Sequence, residues 1–149
     1  MKIHPLFALL SLSLISAGPL AAAALDTTIV ANDAMKFSVT RLEAHPGDVI
    51  HVLFKNAGTV PKEAMGHNWI LLKAGKDANA YAMAAMTAAK EDYQPKARAD
   101  DVVAAIPLLG PGQAAEMTFT VPAAPGHYPY LCTFPGHFMA GMKGELIVR

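Results

Sequence analysis

The segment CTFPGHFMAGM, from Cys132 to Met142, places a thiol, an imidazole and a thioether within eleven residues. It follows the alternating run 127–132, which predicts a strand, and it precedes a second predicted strand at 144–149. A loop between two strands therefore carries three soft or borderline metal donors. Copper sites that transfer electrons combine one thiolate and two imidazoles with a weakly bound axial thioether.

The second imidazole of such a site has to come from elsewhere in the chain. His67 is the natural candidate, because it opens the strand-like run 67–72 within the sequence MGHNW. The carbonyl of Gly66 is a candidate weak fifth ligand, since glycine has no side chain to block its approach. We expect Asn68 to hydrogen-bond to the Cys132 loop and to hold the two ligand segments together.

The rest of the chain predicts short strands separated by turn residues, as in an all-β sandwich or barrel. An alanine- and methionine-rich stretch at 77–90 predicts one short helix that ends before Pro95. A chain of 149 residues, 53% hydrophobic and 16% charged, suits a single domain with an ample core. The predicted strands cover 27–31, 37–42, 49–56, 67–72, 102–109, 116–121, 127–132 and 144–149.

The amino-terminal stretch predicts a secretory signal peptide. Lys2 precedes an apolar run from Leu6 to Ile15, and small residues with Ala-x-Ala cleavage sites follow. We place the signal peptide at 1–24 and the mature domain at 25–149, and we expect export to the periplasm. No later run approaches the roughly 20 apolar residues of a spanning helix, and no cysteine near the cleavage region can carry a lipid. The sequence therefore predicts no membrane anchor.

The balance of charges limits the kinds of partner that the protein can bind. The chain has 12 basic and 12 acidic residues, a balance that argues against nucleic acid as a partner. We expect a monomer that binds redox proteins transiently.

Cys132 is the single cysteine, so it is either an idle buried thiol or a reactive or metal-bound one. The nearby His137 and Met142 favour a bound metal.

The chain combines three motifs: MGHNW at 65–69, CTFPGH at 132–137 and MKG at 142–144. This combination resembles the azurin and auracyanin branch of the cupredoxins, the type 1 blue copper proteins. The resemblance extends over nearly all of the mature chain. It implies an eight-stranded Greek-key β-sandwich with one short helical insertion and one copper ion. It also implies that electrons pass through the exposed edge of His137.

The same resemblance implies roles for residues around the copper. Asn68 and the backbone of Phe134 would hydrogen-bond around the sulfur of Cys132, and Trp69 would lie in the core. The implied ligands are His67, Cys132, His137 and Met142, with the carbonyl of Gly66 as a weak addition.

Two features depart from azurins. Azurins place three residues between the loop histidine and the axial methionine, whereas four separate His137 from Met142, as in auracyanins and plastocyanins. Met139 is nearer, but two residues after a ligand is too close for loop closure, and the MKG sequence favours Met142. Azurins also commonly have a disulfide near the amino terminus, which a chain with one cysteine cannot form.

The other histidines and methionines have simpler interpretations. Met83 and Met86 are spaced i, i+3, which favours a packing face under the helix over a second copper site. The remaining solvent-facing or turn histidines are assigned no metal, and these are His45, His51 and His127. Four apolar residues flank the predicted ligands and either form a docking patch around His137 or close the loop over the metal; they are Met65, Pro135, Phe138 and Met139.

The predicted function is a one-electron carrier rather than an enzyme, because the sequence offers no acid and base pair beside the proposed site. The alternative is periplasmic copper delivery or storage with the same donors, although a thiolate on a short loop favours a permanent site. An oxidase or nitrite-reductase domain would need further histidine ligands. Zinc can bind these donors, but the Cys-x4-His-x4-Met spacing is unusual for zinc.

Overall fold

The computed structural model describes residues 22–149, and within them nine strands form two sheets. Residues 1–21 of the predicted signal peptide lie outside the described residues, and Ala24 already belongs to the first strand. The strands are β1 (Ala24–Asn32), β2 (Lys36–Phe37), β3 (Arg41–Ala44), β4 (Val49–Asn56), β5 (His67–Leu72), β6 (Val102–Leu109), β7 (Ala114–Thr120), β8 (Gly126–Leu131) and β9 (Lys143–Val148).

The two sheets pack face to face. One has the strand order β2-β1-β4-β7 and the other β3-β9-β8-β5-β6. β1 runs parallel to β4 and β3 runs parallel to β9, whereas the remaining neighbours are antiparallel. The predicted all-β sandwich is confirmed.

The predicted strand 37–42 is divided between the sheets, and this division turns eight predicted runs into nine strands. The backbone N–H of Ser38 still donates to Val30 of β1, whereas the carbonyl of Thr40 accepts from Glu145 of β9. The chain therefore changes sheets within three residues. A break in the alternation marks this change, because two exposed residues in succession, Thr40 and Arg41, shift the inward-facing positions by one.

The core between the sheets is built from alternate strand residues. Ile50, Val52 and Phe54 of β4 point into it and are buried, as their period of two predicts. Trp69 is fully buried, and its ring centroid lies 5.4 Å from that of Tyr130. The predicted core position of Trp69 is confirmed.

Two short helices lie in the connections, α1 (Lys62–Met65) and α2 (Ala78–Ala85), together with 3-10 turns at Ala89–Glu91 and Lys96–Asp101. The side chain of Asp77 caps α2 by accepting hydrogen bonds from the N–H groups of Asn79 and Ala80. No helix among residues 22–149 is long and apolar enough to cross a membrane.

Helix α2 covers the outer face of β5, which explains why all six residues of β5 are buried. Ile70 and Leu72 pack against Tyr81 and Ala82 of the helix in a small second core. The predicted packing role of Met83 and Met86 is wrong, because these side chains are 54% and 48% exposed. The helix packs through Tyr81, Ala82 and Ala85, which lie on its buried face.

Candidate metal centre

Strand pairing brings the two predicted ligand segments together. β5 begins at His67, and β8 ends at Leu131, directly before Cys132. These strands are antiparallel neighbours in which Ile70 pairs with Leu131, so the start of β5 lies beside the end of β8. The loop 132–142 then connects β8 to β9, the next strand of the same sheet.

His67, Cys132 and His137 converge at this end of the sandwich. Their donor atoms all lie within 4.8 Å of one another. The sulfur of Cys132 is 3.4 Å from Nδ1 of His137, and the two imidazole centroids are 4.9 Å apart. All three side chains are buried, and His137 is only 2% exposed, which is less than the exposed edge implied by the resemblance.

The ring nitrogens of His67 lack hydrogen-bond partners, and this lack indicates a metal site. Both ring nitrogens are buried, and neither makes a hydrogen bond of normal geometry within residues 22–149, although the backbone of Asn32 lies close enough to raise the pKa of the ring. Burying polar atoms without partners costs free energy, and a metal ion bound by one nitrogen removes part of that cost. A sulfur and two imidazoles are soft and borderline donors, the set that suits copper in both oxidation states.

Burial keeps the metal-free donors uncharged. It raises the pKa of the Cys132 thiol to about 12, although the backbone N–H groups of Asn68 and Phe134 act in the opposite direction. Burial, followed by the nearby His67, lowers the pKa of His137 to about 4. Burial also lowers the pKa of His67, partly offset by the carboxylate of Asp33. Both imidazoles are therefore neutral near pH 7, the form that binds metal.

Backbone hydrogen bonds hold the loop 132–142 closed. The N–H of Cys132 donates to the carbonyl of Met142 at 3.1 Å, and the N–H of Met142 donates to the carbonyl of His137 at 3.0 Å. Gly136 adopts φ +84°, a conformation that favours glycine, immediately before His137. Met142 is fully buried, whereas Met139 is 74% exposed, which supports Met142 over Met139 as the axial residue.

Gly66 is required by packing. A Cβ atom at this position would lie 2.7 Å from the carbonyl oxygen of Lys62 and 2.9 Å from Cγ of Leu108. Gly66 also ends α1, and its N–H donates to the same Lys62 carbonyl. These contacts explain why glycine stands here, independently of any ligand role for its carbonyl.

Asn68 joins the two ligand segments, as its position in the sequence predicted. Its Oδ1 accepts from the N–H of Thr133 at 2.8 Å, and its Nδ2 donates to Oγ1 of Thr133 at 2.7 Å. The hydroxyl of Thr133 donates onward to the carbonyl of Tyr93 at 2.7 Å. The roles of Thr133 and Tyr93 were not predicted; the only available signal was a threonine directly after the cysteine.

Phe134 and Tyr93 enclose the centre on one side. The ring of Phe134 lies 4.7 Å from that of His137 and meets the ring of Tyr93 edge-on at 5.2 Å. Because Tyr93 comes from the connection that follows α2, the segment between β5 and β6 contributes to the wall of the site. The aromatic cover explains the low exposure of His137.

The other histidines lie away from the centre, in agreement with their sequence interpretation. Each of them lies beside a carboxylate. Within residues 22–149, they do not join the cluster of His67, Cys132 and His137. The three outlying histidines are His45, beside Asp48, His51, beside Asp26, and His127, beside Glu145.

Comparison with known proteins gives a consistent result. A family model described as copper binding proteins, plastocyanin/azurin family, matches residues 23–149. Auracyanin-B of Chloroflexus aurantiacus is 38% identical over 119 residues, which cover 79% of this chain and 49% of auracyanin-B. The chain thus spans about half the length of that relative. Azurin of Pseudomonas aeruginosa is 34% identical over 143 residues and covers 93% of both chains.

Solved structures of similar proteins share the fold. The reduced auracyanin of Roseiflexus castenholzii has a TM-score of 0.75 and 34% identity, with 86% of this chain and 99% of that chain covered. Auracyanin A of Chloroflexus aurantiacus, a blue copper protein, has a TM-score of 0.74 and 34% identity, with 85% and 100% covered.

Proposed function

The chain belongs to the plastocyanin/azurin family of copper binding proteins, and from this premise we propose that it is an exported carrier that transfers one electron at a time through a type 1 copper centre. Copper is the metal of this family, and His67, Cys132 and His137 form a candidate type 1 site. The observation that carries the proposal is the convergence of these three buried donors within 4.8 Å.

The proposed equatorial ligands are the sulfur of Cys132 and the imidazoles of His67 and His137. Met142 is the proposed axial ligand, because it is fully buried and its backbone bonds to both Cys132 and His137. The carbonyl of Gly66 is proposed as a weak additional ligand. Bound copper supplies the change between two oxidation states, and the protein supplies a ligand set that both states accept.

A carrier works best when its ligands move little as the charge of the metal changes. The contribution of this chain is the rigidity of the donors: Asn68 ties the His67 segment to the Cys132 loop, and backbone bonds close that loop. Backbone N–H groups of Asn68 and Phe134 directed at the sulfur favour its thiolate form. Donors held in this way move little, which reduces the reorganisation energy of each electron transfer.

Redox partners are proposed to dock on the surface around His137. Met139 is exposed there, and Pro135 and Phe138 are half-buried beside it. We call these three residues the loop patch. A small apolar surface suits short-lived contacts, because it buries little area and releases its partner readily. Transient redox partners, a monomeric state and the absence of a membrane anchor belong to this proposal.

Export to the periplasm is proposed from the sequence of residues 1–24, which has the charge, apolar run and small residues of a signal peptide. Copper delivery or storage is the alternative function. It is less well supported, because all three donors are buried and two of them lie on a closed loop, whereas a delivery site has to expose its metal to a partner.

A visible spectrum tests the proposal. The protein without residues 1–24 is loaded with Cu(II), reduced with ascorbate and reoxidised. We expect an intense blue band that bleaches and returns, and we expect Cys132→Ser to abolish the band while near-ultraviolet circular dichroism is retained. Met142→Gln should keep the colour but shift the reduction potential, whereas Met139→Gln, the matched control, should shift it far less. Colourless copper that passes readily to a chelator would support delivery instead.

A further inference from the structure

Three methionine side chains meet at one surface depression beside the metal loop. Met83, Met86 and Met139 are 54%, 48% and 74% exposed, and all three line this depression. Met83 and Met86 share a face of α2 and its last turn, because three positions separate them. Met139 comes from the loop 132–142. Two distant parts of the chain thus contribute methionines to the same depression.

The depression is small enough for a single ion. Its volume for a water-sized sphere is about 20 Å³, slightly more than one water molecule needs. Core packing does not account for the three exposed methionines, because α2 packs through Tyr81, Ala82 and Ala85, of which only Ala82 also lines the depression.

The chemistry of the lining selects the kind of ion. Thioethers are neutral, soft donors that favour Cu(I) over hard cations. The lining contains no carboxylate, and its polar side chains are those of Asn79 and Thr133. The hydroxyl of Thr133 is already engaged with Asn68 and Tyr93. Ca²⁺ and Mg²⁺, which require several oxygen ligands, therefore have no site here.

We propose that Met83, Met86 and Met139 form a second, surface site for Cu(I), from which the ion reaches the buried centre. The route to the centre rests on the proposed function, whereas binding at the methionines does not. The depression is also lined by 133–136, the part of the loop that separates Cys132 from His137. An ion bound there is separated from the buried donors by the thickness of one loop.

The transfer is an exchange of ligands without electron transfer. Bonds from Cu(I) to the thioethers break, and bonds form to the sulfur of Cys132 and to the imidazoles of His67 and His137. The thiol proton of Cys132 passes to solvent, and the copper remains Cu(I) throughout. Weak thioether bonds suit the first step, because a tight surface site would retain the ion.

Methionine methyl resonances test the binding. The reduced, copper-loaded protein is labelled at its methionine methyl groups and titrated with one further equivalent of Cu(I) in acetonitrile without oxygen. We expect the resonances of Met83, Met86 and Met139 to shift together, while those of Met35 and Met117 stay unchanged. Independent behaviour of the three resonances, or shifts spread over all methionines, would overturn the proposal.

Leucine substitutions test whether the sulfur atoms, rather than the apolar surface, bind Cu(I). The triple variant Met83→Leu, Met86→Leu, Met139→Leu keeps an apolar surface but removes the donors, and Met117→Leu is the matched control. We expect the variant to lose surface Cu(I) affinity by about tenfold or more, measured against a Cu(I) chelator, since even changes outside the ligand shell cost that much at metal sites. Unchanged affinity would contradict the proposal.

Uptake of Cu(I) by the metal-free triple variant should slow by a similar factor, while the blue band after oxidation reaches the same final intensity. An equal uptake rate in the variant and the parent protein would refute the transfer route. The final blue intensity reports the buried centre alone, and the methyl shifts report the surface site alone. Failure of the proposed function is therefore distinguishable from failure of this inference.

Discussion

Cys132 is protonated in the metal-free protein near neutral pH, because burial raises the pKa of its thiol to about 12. The imidazole of His137 is already neutral there, since burial lowers its pKa to about 4. Copper binding therefore displaces one proton, that of the thiol. We predict that apparent copper affinity rises about tenfold per pH unit between about pH 6 and pH 8.

Calorimetry in two buffers with different ionisation enthalpies measures this proton release directly. The direction follows from the thiol pKa, which lies above the working pH, so a higher pH makes the proton easier to remove. Cys132→Ser is the control, and it should show neither the release nor the pH slope. A parent protein that releases no proton would contradict the predicted protonation state.

Asn68 is the residue whose loss should loosen the site most without removing a ligand. In Asn68→Ala, the buried N–H of Thr133 loses its acceptor, and an unsatisfied buried donor costs about 1–3 kcal/mol. We expect the free energy of unfolding of the copper-free protein to fall by that amount in urea titrations. Asn79→Ala, at an exposed position, is the control and should change stability by less than about 0.5 kcal/mol.

Much of the candidate centre could be predicted from the sequence, because cysteine and histidine are uncommon residues and their spacing here suits a metal site. Cys132, His137 and His67 stand out by residue type and spacing alone, and the fold brings their donor atoms together. The carbonyl of Tyr93 could not be predicted as a partner of Thr133, since every residue has a carbonyl and only packing selects one. The low exposure of His137 likewise depends on the ring of Phe134.

Strands β8 and β9 are held in register by an aromatic ring over a glycine. Tyr130 pairs with Gly144, and a Cβ on Gly144 would lie 2.4 Å from Cζ of Tyr130. The tyrosine cannot easily move, because it is buried and its hydroxyl donates to the carbonyl of Val39 at 2.8 Å. We predict that Gly144→Ala lowers the free energy of unfolding by about 1–3 kcal/mol, the usual cost of overpacking.

A double-mutant cycle checks the cause of that loss. Tyr130→Leu should be destabilising alone, but Gly144→Ala should cost little once the ring is gone, so the two effects should be non-additive. Strict additivity in urea titrations would show that the glycine acts through its backbone rather than through space for the ring. The Cys132 loop begins one residue after β8, so the blue band also reports any change of register.

The strands were easier to predict than the connections between them. β4, β5 and β6 match their predicted bounds, because the alternating residues of β4 and the apolar runs of β5 and β6 end at turn residues. The predicted helix 77–90 shortens to α2, because the chain leaves helical geometry after Ala85 and enters 3-10 turns. No helix was predicted at α1, since four residues are too few for a periodic pattern.

The metal centre lies at one end of the sandwich. The site depends on the fold, whereas the fold does not depend on the site. The core between the sheets includes the fully buried Trp69, Phe54 and Tyr130, which do not depend on a metal for their contacts. The site, in contrast, depends on β5 and β8 lying side by side. A folded sandwich is required for metal binding, whereas the metal adds stability to a sandwich already formed.

We therefore predict that the protein stays folded when copper is removed. Near-ultraviolet circular dichroism should be retained and the Tm should fall, because a ligand at a hundred times its Kd contributes about 2.7 kcal/mol. Backbone bonds within the loop 132–142 and the side chain of Asn68 do not involve the metal. Faster hydrogen exchange should thus be confined to that loop and the start of β5. Cooperative unfolding of both sheets on copper removal would show instead that the metal organises the whole molecule.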